Sequence, residues 1–222
     1  MIRVTREPEP NILRKKADEW LLKLNNASTK KEVRLAKNKY KSKSIKKVLV
    51  KMFEGKCAYC ESDMTHIEYG HVEHYRPTSK FPELTFEWSN LLLACGVCNG
   101  SANKGEKFPE ANVGGPIVNP CNDDPDYHFK FVYDKTAHLA SVYGITERGE
   151  LTENLLGLNR NELREHRSNM IKRIAYIAKK SLTDPQAKEI IEEAVKDNAE
   201  YAAFTRTLIR QYPHLMEESN PN

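Results

Sequence analysis

The stretch FEWSNLLLACGVCN, residues 86–99, ends in one of two Cys-x-x-Cys pairs, and those cysteines decide how the surrounding chain is organised. Cys95-Gly96-Val97-Cys98 has a counterpart in Cys57-Ala58-Tyr59-Cys60, with 34 residues between the pairs. Each pair is compatible with a knuckle, a turn that aims two thiolates at one ion about 2.3 Å away. Two knuckles complete a four-thiolate tetrahedron, closed and therefore structural. Five cysteines is an odd number, which argues against a disulfide framework. The fifth, Cys121, is read as structural. Soft thiolates favour Zn²⁺, with an iron–sulfur cluster as the minor alternative. A redox Cys-x-x-Cys would explain one pair and not both, and no thioredoxin-like βαβ pattern surrounds either.

The spacer is longer than that of an ordinary zinc ribbon, so something is inserted between the knuckles. That insert carries YGHVEHYRP, residues 69–77, which reads as a strand ending in a turn shaped by Pro77. His66, His71, Glu73, His74, Arg76, Trp88 and Asn90 lie in it, and Asn99 directly follows the last cysteine. Such a cluster suits a satisfied turn, a metal site or an active site. Trp88 is expected to fill a small core, His66 to lie in a loop, and His128, His138, His166 and His214 to be structural or exposed.

Glu73-His74 ahead of Arg76-Pro77, followed by EWSNLLLACGVCN, resembles the HNH endonuclease motif. That motif is a two-stranded hairpin and a helix, often braced by two knuckles. Together VEHYRP, FEWSNLLLACGVCN, KFP, IVNPCNDDP and LLGLNRNELREHR resemble the PtuB-type HNH subunits of Septu anti-phage systems, a type also found with some retrons. The resemblance covers roughly residues 45–170. It implies His74 as general base, a role that suits an imidazole. Glu73 would hold a divalent cation, Mg²⁺ or Mn²⁺, through hard oxygen. Asn90 would tie the hairpin loop together by side-chain hydrogen bonds, and Asn99 would be the second metal ligand. The family lysine sits at Lys104, five residues after Asn99 instead of about three, which leaves Asn103 as the alternative ligand. His71 shares a strand face with Glu73 and is a further candidate ligand. Arg76 and Lys104 flank the site and would contact phosphate. Glu73 stands where many HNH proteins have aspartate or histidine. The resemblance also implies an ATPase partner subunit, docked by a helical arm outside the core.

Around this centre the sequence predicts an α+β fold, mostly α-helical: an HNH ββα-metal core braced by the four-cysteine zinc site and flanked by helical arms. The divisions expected are a basic helical arm over residues 1–52, the HNH module over 53–112, and a hairpin and C-terminal helical region over 113–222. Apolar spacing predicts a helix over 10–25 and a second over 27–53, bent near KSKS, with a Thr29/Glu32 capping box. The alternation in YHFKFVYDKTAHLASVY predicts a hairpin turning near 134–136. Helices are expected over 159–181 and from Asp184 towards Gln211.

Charge is uneven. Residues 28–56 hold eleven Lys/Arg against two Glu, a density suited to the DNA backbone, whereas 182–222 hold four basic and eight acidic residues. No apolar run reaches the roughly 20 residues of a membrane span, and the first residues lack a secretory signal pattern, so a cytoplasmic location without membrane attachment is expected. No G-x-x-x-x-G-K-[ST] loop is present, so ATP binding would belong to the partner. The competing reading is a non-catalytic zinc module that binds nucleic acid or a protein. It needs the cysteines and the basic arm but not Glu73, His74 and Asn99 together.

Overall fold

The basic stretch after the first helix is not one helix but three pieces, and the reason is local. Residues 1–212 are described by this computed structural model; His214 lies outside them. Helix α1 (Asn11–Asn25) follows Pro10 and buries Leu13. Thr29 then caps α2 (Lys30–Lys37), its hydroxyl accepting from the Glu32 amide while the Glu32 carboxylate reaches back. A 3-10 turn, Asn38–Lys41, ends this run. The Ser42 hydroxyl accepts from the Ile45 amide and starts α3 (Lys43–Met52), which buries Ile45, Leu49 and Met52. The break thus falls at KSKS, where a second cap competes with continuing the helix.

Strand β1 (His71–His74) pairs antiparallel with β2 (Leu91–Ala94), matching Val72 to Leu93, Glu73 to Leu92 and His74 to Leu91. All four residues of β2 are buried, and α3 packs against it. Covering each leucine contributes about 1.5–3 kcal/mol, so this short hairpin is held by burial more than by its few ladder bonds. The one-turn helix α4 (Gly96–Asn99) follows at once, capped by Cys95, and packs beside β1.

Beyond the HNH region come α5 (Pro125–His128) and the hairpin of β3 (Phe129–Asp134) with β4 (Leu139–Gly144). Asp134 closes its turn by accepting from the Thr136 and Ala137 amides at 2.8 and 2.9 Å. Helix α6 (Glu147–Leu156) was not anticipated; α7 (Asn161–Lys180) and α8 (Pro185–Ala194, capped by Asp184) were. The expected run to Gln211 is corrected: α8 stops at Ala194 and α9 (Ala202–Ile209) begins after Tyr201 at φ 52. Lys56 Nζ takes the Asp197 and Ala199 carbonyls at 2.5 and 2.7 Å, and Tyr201 Oη meets Ser62 Oγ at 2.8 Å. Those tertiary bonds hold the backbone out of a continuous helix.

Buried side chains from every part of the chain, among them Leu13, Leu49, Leu92, Ile117, Phe131, Ile171 and Leu208, belong to one hydrophobic cluster. Among the described residues no helix is long and apolar enough to cross a membrane.

Candidate active site

Two knuckles meet where the first one hydrogen-bonds to the hairpin. The Ala58 amide donates to Leu93 O at 2.8 Å, and the Cys95 amide to Cys57 Sγ at 3.3 Å. Cys98 N–H donates to Cys95 Sγ at 3.3 Å, the bond that closes the second knuckle. The four Sγ atoms lie within 4.8 Å of one another, and Cys60 Sγ is 3.9 Å from Cys95 Sγ. A tetrahedron of about 2.3 Å bonds needs sulfurs about 3.8 Å apart, so the donor set fits Zn²⁺. Burial pushes the Cys57 thiol well up, so four thiolates packed here call for a cation. Arg160, from the C-terminal region, places Nη1 3.7 Å from Cys98 Sγ.

Asn90 lies between the loop and the end of β1. Its side chain accepts from the Arg76 amide at 2.7 Å and donates to the Arg76 and Leu84 carbonyls at 3.0 and 3.1 Å. These bonds tie the loop to the end of β1 and fix the strand end that carries Glu73 and His74.

Adjacent strand residues face opposite ways, and the two environments differ accordingly. The His74 ring is buried, with Nε2 2.9 Å from the Thr85 carbonyl. A carbonyl can only accept, so Nε2 carries the proton and a neutral ring keeps its lone pair on Nδ1. Burial lowers the His74 pKa to about 4, against the bond to Thr85, with Lys37, Lys104 and Lys41 adding to the depression. Tyr40, from the 3-10 turn of the basic arm, stands edge-on to this ring, centroids 4.3 Å apart at 69°.

Glu73 is 4% exposed, and its Oε1 rests against Lys104 Nζ as an ion pair but accepts no well-directed hydrogen bond. Burial pushes its carboxyl up, and the Lys104 ammonium opposes that. Lys104 is itself 0% exposed, donating to His74 O at 2.8 Å. The expected phosphate contact at Lys104 is therefore corrected: its charge is spent inside, on Glu73 and the strand backbone. Arg76 stays exposed, stacked over Phe81 and Phe108 at 5.5 and 5.6 Å.

Asn99 is half-buried at the end of α4, its amide on Cys95 O at 3.0 Å, and its side chain makes no hydrogen bond among the described residues. Asn103 is engaged elsewhere: Nδ2 donates to Val97 O at 2.9 Å and Oδ1 faces Gly157, whose φ of 56 ends α6. His71 is exposed, 3.9 Å from Glu68. Trp88 is buried in the core, its Nε1 donating to Glu7 O at 2.8 Å beneath Arg6. Of the remaining histidines, His66 is exposed near Asp63, His128 is buried on Thr146, His138 meets Tyr133, and His166 meets Glu200. Sequence reading missed Tyr40, Thr85 and Arg160. The one available signal was an aromatic residue inside a lysine run.

Comparison with known proteins points to one family. The HNH endonuclease family model matches residues 57–105. Septu protein PtuB of Bacillus mycoides (strain KBAB4) is 32% identical over 204 residues, covering 78% of this chain and 68% of that protein. Septu protein PtuB of Bacillus thuringiensis is 35% identical over 117 residues, 52% of this chain and 41% of that one. Septu protein PtuA of Bacillus mycoides (strain KBAB4) is 26% identical over 184 residues, 69% of this chain and 25% of that protein.

Proposed function

The chain belongs to the Septu PtuB family and is an HNH endonuclease, and on that premise we propose that it hydrolyses DNA in a metal-dependent reaction as the effector of an anti-phage system, controlled by an ATPase partner. The observation that carries the reading is the anchored His74: a buried imidazole fixed by the Thr85 carbonyl, with Nδ1 left as a proton acceptor on a hairpin locked by Asn90. His74 takes a proton from the water that attacks phosphorus, and the 3′-oxygen leaves as that bond breaks. Arg76, exposed beside the hairpin, contacts the phosphate backbone.

The residues present fit a divalent cation. Glu73 offers a buried carboxylate whose Oε1 is held by charge against Lys104 and not by a directed hydrogen bond, and the side-chain amide of Asn99 makes no hydrogen bond among the described residues. Mg²⁺ or Mn²⁺, held there, supplies charge neutralisation for the phosphate and the leaving oxygen. Asn99 is preferred over Asn103 because Asn103 Oδ1, the atom that would ligate, faces Gly157 while its Nδ2 is bonded to the Val97 carbonyl. Zn²⁺ in the four-cysteine site is structural. The likeness to a PtuA-named protein supports placing this chain beside a PtuA-like ATPase.

Plasmid DNA incubated with Mg²⁺ or Mn²⁺ tests the reading, with and without the ATPase partner. His74→Ala should abolish cutting while zinc content and fold are retained. Cleavage by His74→Ala at the wild-type rate would overturn the assignment and favour the non-catalytic zinc module.

A further inference from the structure

The basic arm does more than add charge to the surface, because part of it lies against the catalytic histidine. We propose that the segment Lys37–Lys41 is the substrate-side wall of the active site, with Tyr40 seating His74 and Lys37 and Lys41 receiving the phosphates beside the scissile bond. The proposal rests on the endonuclease reading above and names where in the arm the DNA backbone is held.

Three observations converge. First, the Tyr40 ring meets the His74 ring edge-on at 4.3 Å, so Tyr40 and the Thr85 carbonyl both restrain the imidazole. Tyr40 is half-buried against the core, and burial, with the Glu73 charge nearby, pushes its phenol pKa up. Tyr40 therefore stays neutral and acts by packing. Second, a change of backbone geometry puts it there. The helix tightens to a 3-10 turn over Asn38–Lys41 and stops at the Ser42 cap, which turns the chain at the hairpin. Third, Lys37 and Lys41 flank Tyr40 at the start and end of that turn, the turn that brings Tyr40 onto the His74 ring. Lys41 Nζ also sits 5.5 Å over the Tyr40 ring.

Other lysines of the arm are committed elsewhere. Lys46 is bonded to Gly70 O at 2.8 Å, Lys51 pairs with Glu7 at 2.9 Å, and Lys56 is buried. Lys37 and Lys41 have no ion-pair partner among the described residues, although Lys37 is half-buried. Two cations beside a base, with no ion-pair partner among the described residues, form an anion site, and a phosphodiester is the anion that the HNH centre acts on. Tyr40 is a positioning residue, and Lys37 and Lys41 are backbone contacts.

The test uses the full zinc-loaded chain and a DNA duplex, with affinity measured by fluorescence anisotropy across a salt series. The Lys37→Gln/Lys41→Gln variant should lower the slope of log K against log salt by about 2, near 0.9 per lost phosphate contact. Lys172→Gln/Arg173→Gln, on α7, should leave the slope unchanged. Tyr40→Phe should keep wild-type cleavage, whereas Tyr40→Ala should cut kcat at least about tenfold with KM little changed, as expected when a positioned proton acceptor is misplaced. The ¹⁵N resonances of the His74 ring should move in Tyr40→Ala and not in Tyr40→Phe. An unchanged salt slope in the lysine variant overturns the phosphate contacts, and unmoved His74 resonances in Tyr40→Ala overturn the seating. Both readouts apply whether or not the chain cuts without its partner. Failure of His74→Ala to lose activity would instead sink the endonuclease reading itself.

Discussion

Lys104 shows how one side chain can be legible in type and misleading in role. A lysine shortly after the motif asparagine suggests a phosphate contact, but sequence spacing carries no information on burial depth. Here the ammonium lies inside, against Glu73 and the His74 carbonyl. Lys104→Met should therefore destabilise the fold by about 3 kcal/mol in urea denaturation, because it leaves a buried carboxylate without its counter-charge. Adding Glu73→Gln should recover most of that loss, while Lys104→Met leaves the salt dependence of DNA binding intact. A stable Lys104→Met with a shallower salt slope would restore the phosphate role. Asn90 is polar, buried and fully bonded, to Arg76 and Leu84. Asn90→Ala, which strips the ties to Arg76 and Leu84, should cost about 2–3 kcal/mol in the same experiment.

Elements were readable where the pattern was strong and local. Thr29/Glu32 and Asp184-Pro185 started helices as expected, and the alternation over 127–143 gave the second hairpin. Helix α6 escaped notice because its cap, Thr146, is followed by Gly149 at the third helical position, which lacks the Glu or Gln of a capping box. The end of α8 escaped because the bonds from Lys56 and Ser62 that bend the chain come from more than 130 residues away. Element α6 is also clamped electrostatically. Its Arg148 pairs with Asp123 through Nη2–Oδ2 at 2.6 Å and holds the Pro116 carbonyl through Nε at 2.8 Å. Burial alone would raise the Asp123 carboxyl, but Arg148 and the Asn119 amide outweigh it and hold the pKa low. The folded pKa lies below the unfolded one, so this stabilisation is present above about pH 4 and is lost as pH falls through the folded value. Thermal melts between pH 6 and pH 3 should show a smaller acid-induced drop in Tm for Arg148→Met than for wild type. Parallel drops would mean that the clamp contributes nothing to acid sensitivity.

At the scale of the molecule, the metal site ties together parts that the sequence presents as separate. The buried residues of the N-terminal arm, the HNH core and the C-terminal helices form one cluster, and the C-terminal region reaches the cysteines through Arg160. A four-thiolate zinc site carries two net negative charges. Nearby, Arg167 is 1% exposed, and its bonds run to the Ala140 and Leu158 carbonyls and the Asn159 side chain. Burial lowers the pKa of Arg167 to about 10, while Tyr201 and then Cys60 raise it. Arg160 therefore helps to balance the metal site, and that long-range balance was invisible in a sequence where it is an ordinary arginine at the start of a helix. Metal affinity should consequently respond to a residue that is not a ligand. Arg160→Met should lose zinc to a competing chelator about 10–100-fold more readily than wild type, with all four cysteines intact. Cys57→Ser or Cys95→Ser should go further and fail to hold zinc or fold, because binding and folding are coupled. Since one core spans the chain, chelating the metal from wild type should collapse the hairpin and the C-terminal helices in a single transition, followed by circular dichroism and near-ultraviolet absorbance. Retention of the α7 helical signal after complete zinc removal would show that the C-terminal region folds independently of the knuckles.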